Sequence, residues 1–310
     1  MADRPRTTLG HAPSAAGETD ALELERADES RLPARTADLR DLLPGVEPDR
    51  QVTDWGRSER IEGLMDRTLY DFFYRLWFRV SVEGIENVPS DGGALLVSNH
   101  AGALPPDAAM IAKAIKEEHP RGRPLHITVE HFFKGYPLFS MLLPKIGAVP
   151  AHPANVHRLL YDEGQLVLVF PEGRKGTEKL YKDRYRLRRF GRGGFVEAAM
   201  KARVPIVPIA VVGAEEAAPI FAHLTLFQRL TGLLYFPLTP TFPHFGPLGM
   251  FAYLPAKFTI RFLAPVRTDD MGDEPWEDKG LVQTVAHDVR AQIQGELLDM
   301  VGERKSVWFG

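Results

Sequence analysis

The chain has 310 residues, 44% of them hydrophobic, and a formal net charge of −3. That length accommodates one large domain or two small ones around a well-buried core, and the slightly acidic balance argues against a chain that is globally a nucleic-acid binder. The absence of cysteine excludes disulfides, thiolate nucleophiles and cysteine-ligated zinc, and it fits a reducing compartment.

Residues 1–50 are rich in Asp, Glu, Arg, Pro and Ala, with almost no aromatic residues. Such a segment buries too little to offset the entropy of ordering, so a flexible tail is expected. It also lacks the basic start and apolar core of a secretory signal. A single folded domain is expected over 51–310, opening with a helix over 58–78. There Ile61, Leu64, Met65, Leu69, Phe72, Phe73, Leu76 and Trp77 recur at helical spacing, which reads as one core-packing face.

Beyond this helix, apolar runs alternate with helical segments, the pattern of an α/β domain. Strands are predicted at 78–84, 94–99, 125–130, 166–170, 206–212 and 257–266. Helices are predicted at 107–119, 136–147, 154–164 and 193–203, with a last one near 278–302. No uncharged apolar run is long enough, and free enough of helix breakers, to predict a conventional transmembrane helix.

In open α/β sheets, ligands bind beyond the carboxyl ends of strands. Two chemically suggestive pieces fall there: Asn99-His100 after one strand, and Phe170-Pro171-Glu172-Gly173 after another. An imidazole can take a proton from an alcohol near neutral pH, and a carboxylate on its other nitrogen fixes the tautomer. Asp107 is the nearest carboxylate for that role; it equally suits the cap of a helix beginning at Ala108. Ser98 lacks the glycine frame of a nucleophile elbow, which leaves His100 as a base acting on an external hydroxyl.

Asn99-His100 with Asp107, then Phe170-Pro171-Glu172-Gly173, then Val204-Pro205-Ile206-Val207-Pro208-Ile209, resembles the glycerolipid and lysophospholipid acyltransferase family in order and separation, over roughly residues 75–215. The resemblance implies a mixed, largely parallel central sheet flanked by helices. It also implies transfer of a fatty acyl group from acyl-CoA or acyl carrier protein, as co-substrate, to a lysophospholipid or other lipid hydroxyl. No further cofactor or metal is implied. His100 would be the base and Asp107 its orienting partner, while Asn99, Phe170, Pro171, Glu172, Gly173, Arg174 and Lys175 would bind substrate.

Three features depart from the family pattern. Six residues, Ala101 to Pro106, separate His100 from Asp107 where four are usual, and the Pro105-Pro106 pair could fold the extra length into a tight loop. Lys175 stands where an Arg is common, giving a point charge instead of a planar fork. The block that carries an acceptor-phosphate Arg reads Gly147-Ala148-Val149-Pro150-Ala151-His152-Pro153 here, so a neutral alcohol or another lysophospholipid stays open as acceptor.

Residues 172–192 hold nine basic and three acidic side chains, a cluster suited to phosphates of coenzyme A, an acidic carrier protein or anionic lipid. No nucleic-acid recognition signature accompanies it. Residues 217–256 carry a single formal charge, Arg229, and six prolines. Two readings stand equal for them: core filling, or a hydrophobic lip or acyl channel at a bilayer. Gly191, Gly193 and Gly194 do not complete a dinucleotide fingerprint, since Val196 replaces its last glycine. His126, Glu130 and His131 lack metal-ligand spacing. The sequence therefore predicts an acyltransferase peripheral to the cytoplasmic face of a membrane, with anionic lipid as a partner. The alternatives are a lipid-binding protein without activity and an acyl-thioester hydrolase.

Overall fold

The structure, a computed structural model, describes residues 52–102, 106–130, 137–231 and 236–310. The expected tail at 1–50, along with Pro105 and His131, lies outside the described residues. Seven strands form one sheet: β1 (Ser81–Glu83), β2 (Ala94–Ser98), β3 (Leu125–Val129), β4 (Ala148–Pro150), β5 (Leu166–Val169), β6 (Ile206–Val212) and β9 (Thr259–Phe262), in the order β1-β9-β6-β2-β5-β3-β4. Every neighbouring pair is parallel except β6 and β9. This is the mixed, largely parallel sheet that the resemblance implied. A short hairpin, β7 (Ala222–His223) with β8 (Pro237–Leu238), stands apart from it.

Strands buried on both faces read as continuous apolar runs because each side chain meets a core. In β2, Leu95 and Val97 enter one core while Ala94 and Leu96 enter the other. The first core is closed by the helices Gly194–Ala202 and Lys279–Glu303. Asp278 starts the long C-terminal helix by accepting the Gly280 and Leu281 N–H groups, and Val282, Val285, Val289, Ile293 and Leu297 form its buried stripe. Gly193, at φ +83°, allows the shorter helix to approach it, since a Cβ there would lie 2.7 Å from Val282 Cγ1.

The second core is covered by the helix Asp107–Glu118, whose Met110, Ile111, Ala114 and Ile115 face the sheet. Each fully buried Leu, Ile or Met contributes about 1.5–3 kcal/mol by leaving water. Pro120, just past the last turn, cannot continue the helix. Lys113 is buried on the flank of the same helix and holds Asp66 at 3.1 Å, Asp71 at 3.1 Å and Glu117 at 2.7 Å. It thereby ties this helix to the one before it.

That preceding segment corrects the sequence reading. Residues 59–65 are α-helical, but Asp66–Tyr70 and Phe72–Trp77 have wider π-helical turns. The altered winding splits the apolar residues: Tyr74 and Phe78 are buried, whereas Leu64, Leu69, Phe72 and Leu76 face outward. The face expected to pack on the core is therefore divided between core and surface.

One buried group makes stability depend on pH. His126, in β3, stands edge-on to Trp55, and among the described residues its Nδ1 has no hydrogen-bond partner. Burial, with the Arg57 charge added, pushes its pKa down from 6.5 to about 4. Between these values the unfolded chain takes up a proton that the native ring refuses, so stability is lost as pH falls from 6.5 towards 4, by up to about 3 kcal/mol. Urea midpoints at pH 7 and pH 4.5 should fall less in His126→Leu than in wild type. Equal falls would show that this ring contributes nothing to acid sensitivity.

Candidate active site

The sheet order places β2 between β6 and β5, all three parallel, so their carboxyl ends share one rim. Asn99 and His100 follow β2, Phe170 to Gly173 follow β5, and Gly213 to Glu216 follow β6. The two pieces that sequence alone put on strand ends are therefore neighbours.

His100 and Asp107 meet despite the longer connection. His100 Nδ1 lies 2.9 Å from Asp107 Oδ2, and the Asp107 side chain is fully buried. The helix begins at Asp107 itself, with Pro106 as its N-cap, so the expected start at Ala108 moves back by one residue. Asp107 nevertheless serves the helix end, because Oδ1 accepts the Ala108 N–H at 2.7 Å. Oδ2 also receives the Ala101 N–H at 3.4 Å. Among the described residues both backbone groups facing this carboxylate are donors, an arrangement that suits the tautomer with the proton on Nδ1 and the lone pair on Nε2. Among the described residues nothing hydrogen-bonds Nε2. The imidazole lies flat on Phe170, with ring centroids 4.0 Å apart, which fixes its plane.

Two of the residues assigned to substrate by the resemblance, Asn99 and Glu172, are turned inward. The Asn99 amide accepts the Val211 N–H at 2.8 Å and donates to the Val211 carbonyl at 3.0 Å. It thus replaces a strand partner and anchors the loop that presents His100. The Glu172 carboxylate is fully buried. Its Oε1 accepts the His100 backbone N–H at 3.1 Å, and its Oε2 accepts the Arg188 N–H at 2.7 Å. Asn99 and Glu172 therefore hold the loop that carries His100. Phe170, Pro171 and Gly173 are partly exposed, and Arg174 and Lys175 are exposed, all on the loop that faces His100.

Residues that local sequence patterns did not single out complete the support. Lys179, counted above as one of nine basic residues, is buried and stands 3.4 Å from Glu172 Oε2 and 3.0 Å from Glu215 Oε1. Glu215 also accepts the Tyr185 N–H, and burial raises its pKa against the opposing pull of Lys179. Glu216 is held by Arg304 at 2.8 Å and by the Tyr185 hydroxyl. A buried charge network thus runs from beneath His100 to the end of the C-terminal helix. Gly176 closes the other side: a Cβ there would lie 2.6 Å from the His100 carbonyl oxygen. A glycine inside a short helical turn was the one cue available in the sequence.

Other residues weighed for metal or phosphate do structural work. Glu130 Oε1 accepts the Arg174 N–H at 3.2 Å. His152 caps the helix Pro153–His157 by accepting the Ala154 N–H.

The class of protein follows from where known sequences align. The sequence model of the family described as Acyltransferase matches residues 79–212, which run from just before β1 to the end of β6. The chain belongs to this family and is an acyltransferase. An uncharacterized protein of Mycobacterium tuberculosis is 40% identical over 301 residues, covering 97% of this chain and 83% of that protein. A Bos taurus protein described as a DGAT1/2-independent enzyme synthesizing storage lipids is 29% identical over 238 residues, 76% of this chain and 67% of its own. Among solved structures, the 1-acyl-sn-glycerophosphate (LPA) acyltransferase PlsC from Thermotoga maritima has a TM-score of 0.50 at 17% identity, covering 80% of this chain and 82% of that one. At that identity the likeness is one of fold.

Proposed function

We propose that the chain moves a fatty acyl group from acyl-CoA or acyl carrier protein to the hydroxyl of a lysophospholipid or other lipid alcohol, at the inner face of a membrane, without a covalent enzyme intermediate. The observation that carries this reading is the 2.9 Å contact between His100 Nδ1 and Asp107, which leaves Nε2 as a base at the open rim of the sheet. Nε2 takes the acceptor's hydroxyl proton as the oxygen bonds to the thioester carbonyl carbon. Collapse of the tetrahedral intermediate breaks the carbon–sulfur bond, and the imidazolium returns its proton to the departing thiolate. Asp107 stabilises the imidazolium between these two transfers.

Phe170 stacks on the ring, Pro171, Gly173, Arg174 and Lys175 follow it on the same loop, and all five are assigned to substrate. Arg174 Nε pairs with Glu178 at 3.1 Å, whereas Lys175 has no ion-pair partner among the described residues, so Lys175 is the better placed to meet a phosphate. A neutral acceptor has two supports. The block from Gly147 to Pro153 supplies no guanidinium, its His152 being engaged as a helix cap. The bovine relative is described by its synthesis of storage lipids.

The test follows thiol release and ester formation together, with acyl-CoA as donor and lysophosphatidate, lysophosphatidylcholine, monoacylglycerol, diacylglycerol and a long-chain alcohol as acceptors. Thiol release that depends on one of these acceptors and matches ester formation is the expected result. Thiol release without an acceptor would mark a hydrolase. No release with any of them, and none with acyl carrier protein as donor, would leave a lipid-binding protein without activity.

A further inference from the structure

Between the carboxyl end of β6 and the start of β9, which pair at Val212 and Thr259, the described residues 213–231 and 236–258 form an excursion from the sheet. The excursion therefore leaves the sheet at the rim that carries His100. Its foot touches the catalytic loop: a Cβ on Gly102 would lie 2.8 Å from the Ala214 carbonyl oxygen and 3.4 Å from Ala218 Cβ. Farther out come the β7–β8 hairpin, the helix Thr225–Thr231 and the turn Gly246–Phe251.

This excursion turns large apolar side chains to solvent. Leu226 is 65% exposed, Leu230 74%, Phe245 70% and Leu248 79%. Core filling, one of the two readings of this sequence, accounts for Ile220 and Phe242 but not for these four. A surface of this kind calls for an apolar partner.

Charge identifies the partner. The foot is joined to the basic segment, where the Tyr181 N–H donates to the Ile220 carbonyl at 2.8 Å and the His223 ring contacts the Glu178 carbonyl at 2.8 Å. The Tyr181 ring meets Phe221, with Arg184 on it at 4.5 Å. Lys182, Arg184 and Arg186 are exposed beside this junction, and none has an ion-pair partner among the described residues. Exposed apolar side chains on an element joined at its foot to a segment of exposed cations suit a surface with anionic headgroups over hydrocarbon. Two copies of the chain meeting through this face would instead bring like charges together.

We infer that the excursion and its basic flank dock the protein on an anionic bilayer, holding the His100 rim at the lipid surface. The link to catalysis rests on the transferase reading above; the docking itself does not. The experiment measures flotation of the full chain with vesicles of phosphatidylcholine alone, or of phosphatidylcholine and phosphatidylglycerol in equal parts, without donor or acceptor. Wild type should bind the anionic vesicles and largely ignore the neutral ones. The combined variant Leu226→Ser, Leu230→Ser, Phe245→Ser and Leu248→Ser should lose at least about tenfold in binding. The variant Lys182→Glu, Arg184→Glu and Arg186→Glu should lose the anionic preference.

Circular dichroism of both variants should match wild type, and turnover of a short, water-soluble acceptor should be unchanged in the apolar variant while turnover of a vesicle-borne acceptor falls. Anionic-vesicle binding by the apolar variant within about twofold of wild type would overturn the inference. So would a lipid-free dimer that the apolar substitutions convert to monomer. Failure of the transferase reading would leave the flotation result standing, so the two are separable.

Discussion

Replacing Asp107 by Asn should lower kcat by about 10²–10⁴-fold while KM changes little. The side chain keeps its shape, so the effect isolates the proton. Asp107 Oδ1 receives the Ala108 N–H at 2.7 Å, which obliges an Asn to place its oxygen there and its NH₂ towards His100. Two donors cannot share that contact, so the ring proton moves to Nε2 and the base is lost. Burial of the position keeps water from rescuing it. Steady-state kinetics beside circular dichroism would show a falling kcat with an unchanged fold. A rate within about threefold of wild type would mean that the ring needs no orienting carboxylate.

The second large effect is expected at Lys179. Lys179→Met would leave Glu172 and Glu215 buried without their shared cation. Breaking a buried pair by removing one partner typically destabilises by about 3–5 kcal/mol, a large share of the roughly 5–15 kcal/mol that holds a domain folded. The sign with pH is specific. Burial already raises the Glu215 pKa, with Lys179 opposing; without Lys179 it rises further. A carboxyl whose pKa is higher in the folded state favours folding at low pH, and that contribution is lost as pH rises. The deficit of Lys179→Met should therefore be largest at neutral pH and shrink towards pH 5, as read from urea midpoints. A deficit that is flat with pH would mean the lysine acts through packing of its aliphatic stem alone.

Both effects bear on how far the site was legible in the chain. The run IVPIAVV became β6 without change, and DAAMIAKAIKEE became the helix over the second core, because each is set by local periodicity and by burial on one or both faces. The meeting of His100 and Asp107 at 2.9 Å was legible as position, being a strand end and a helix start a few residues apart. Lys179 was not. Its partners lie seven positions back, at Glu172, and 36 positions on, at Glu215, and only the adjacency of β5, β2 and β6 brings them together. In sequence it joined a basic run, the other eight members of which do face solvent.

The same reasoning explains the remaining misses. β4 is a three-residue edge strand ending on Pro150, where proline is tolerated at an edge and the run is too short to show a period. The reversed direction of β9 depends on the long excursion before it and has no local signature. The π-helical turns left no trace in the apolar spacing, because Ile61, Met65, Leu69, Phe72 and Leu76 keep the steps of three and four of an α-helix. Glu172 was placed correctly at the rim, but its orientation depended on two backbone N–H groups, those of His100 and Arg188, which no side-chain pattern reveals.

The most direct test of the account is acyl transfer by His100→Ala beside wild type, with the donor and acceptor pair that wild type uses and with folding checked by thermal unfolding. A base acting on the acceptor hydroxyl predicts a loss of about 10²–10⁴-fold in ester formation at a similar unfolding temperature. Ester formation at the wild-type rate would contradict it.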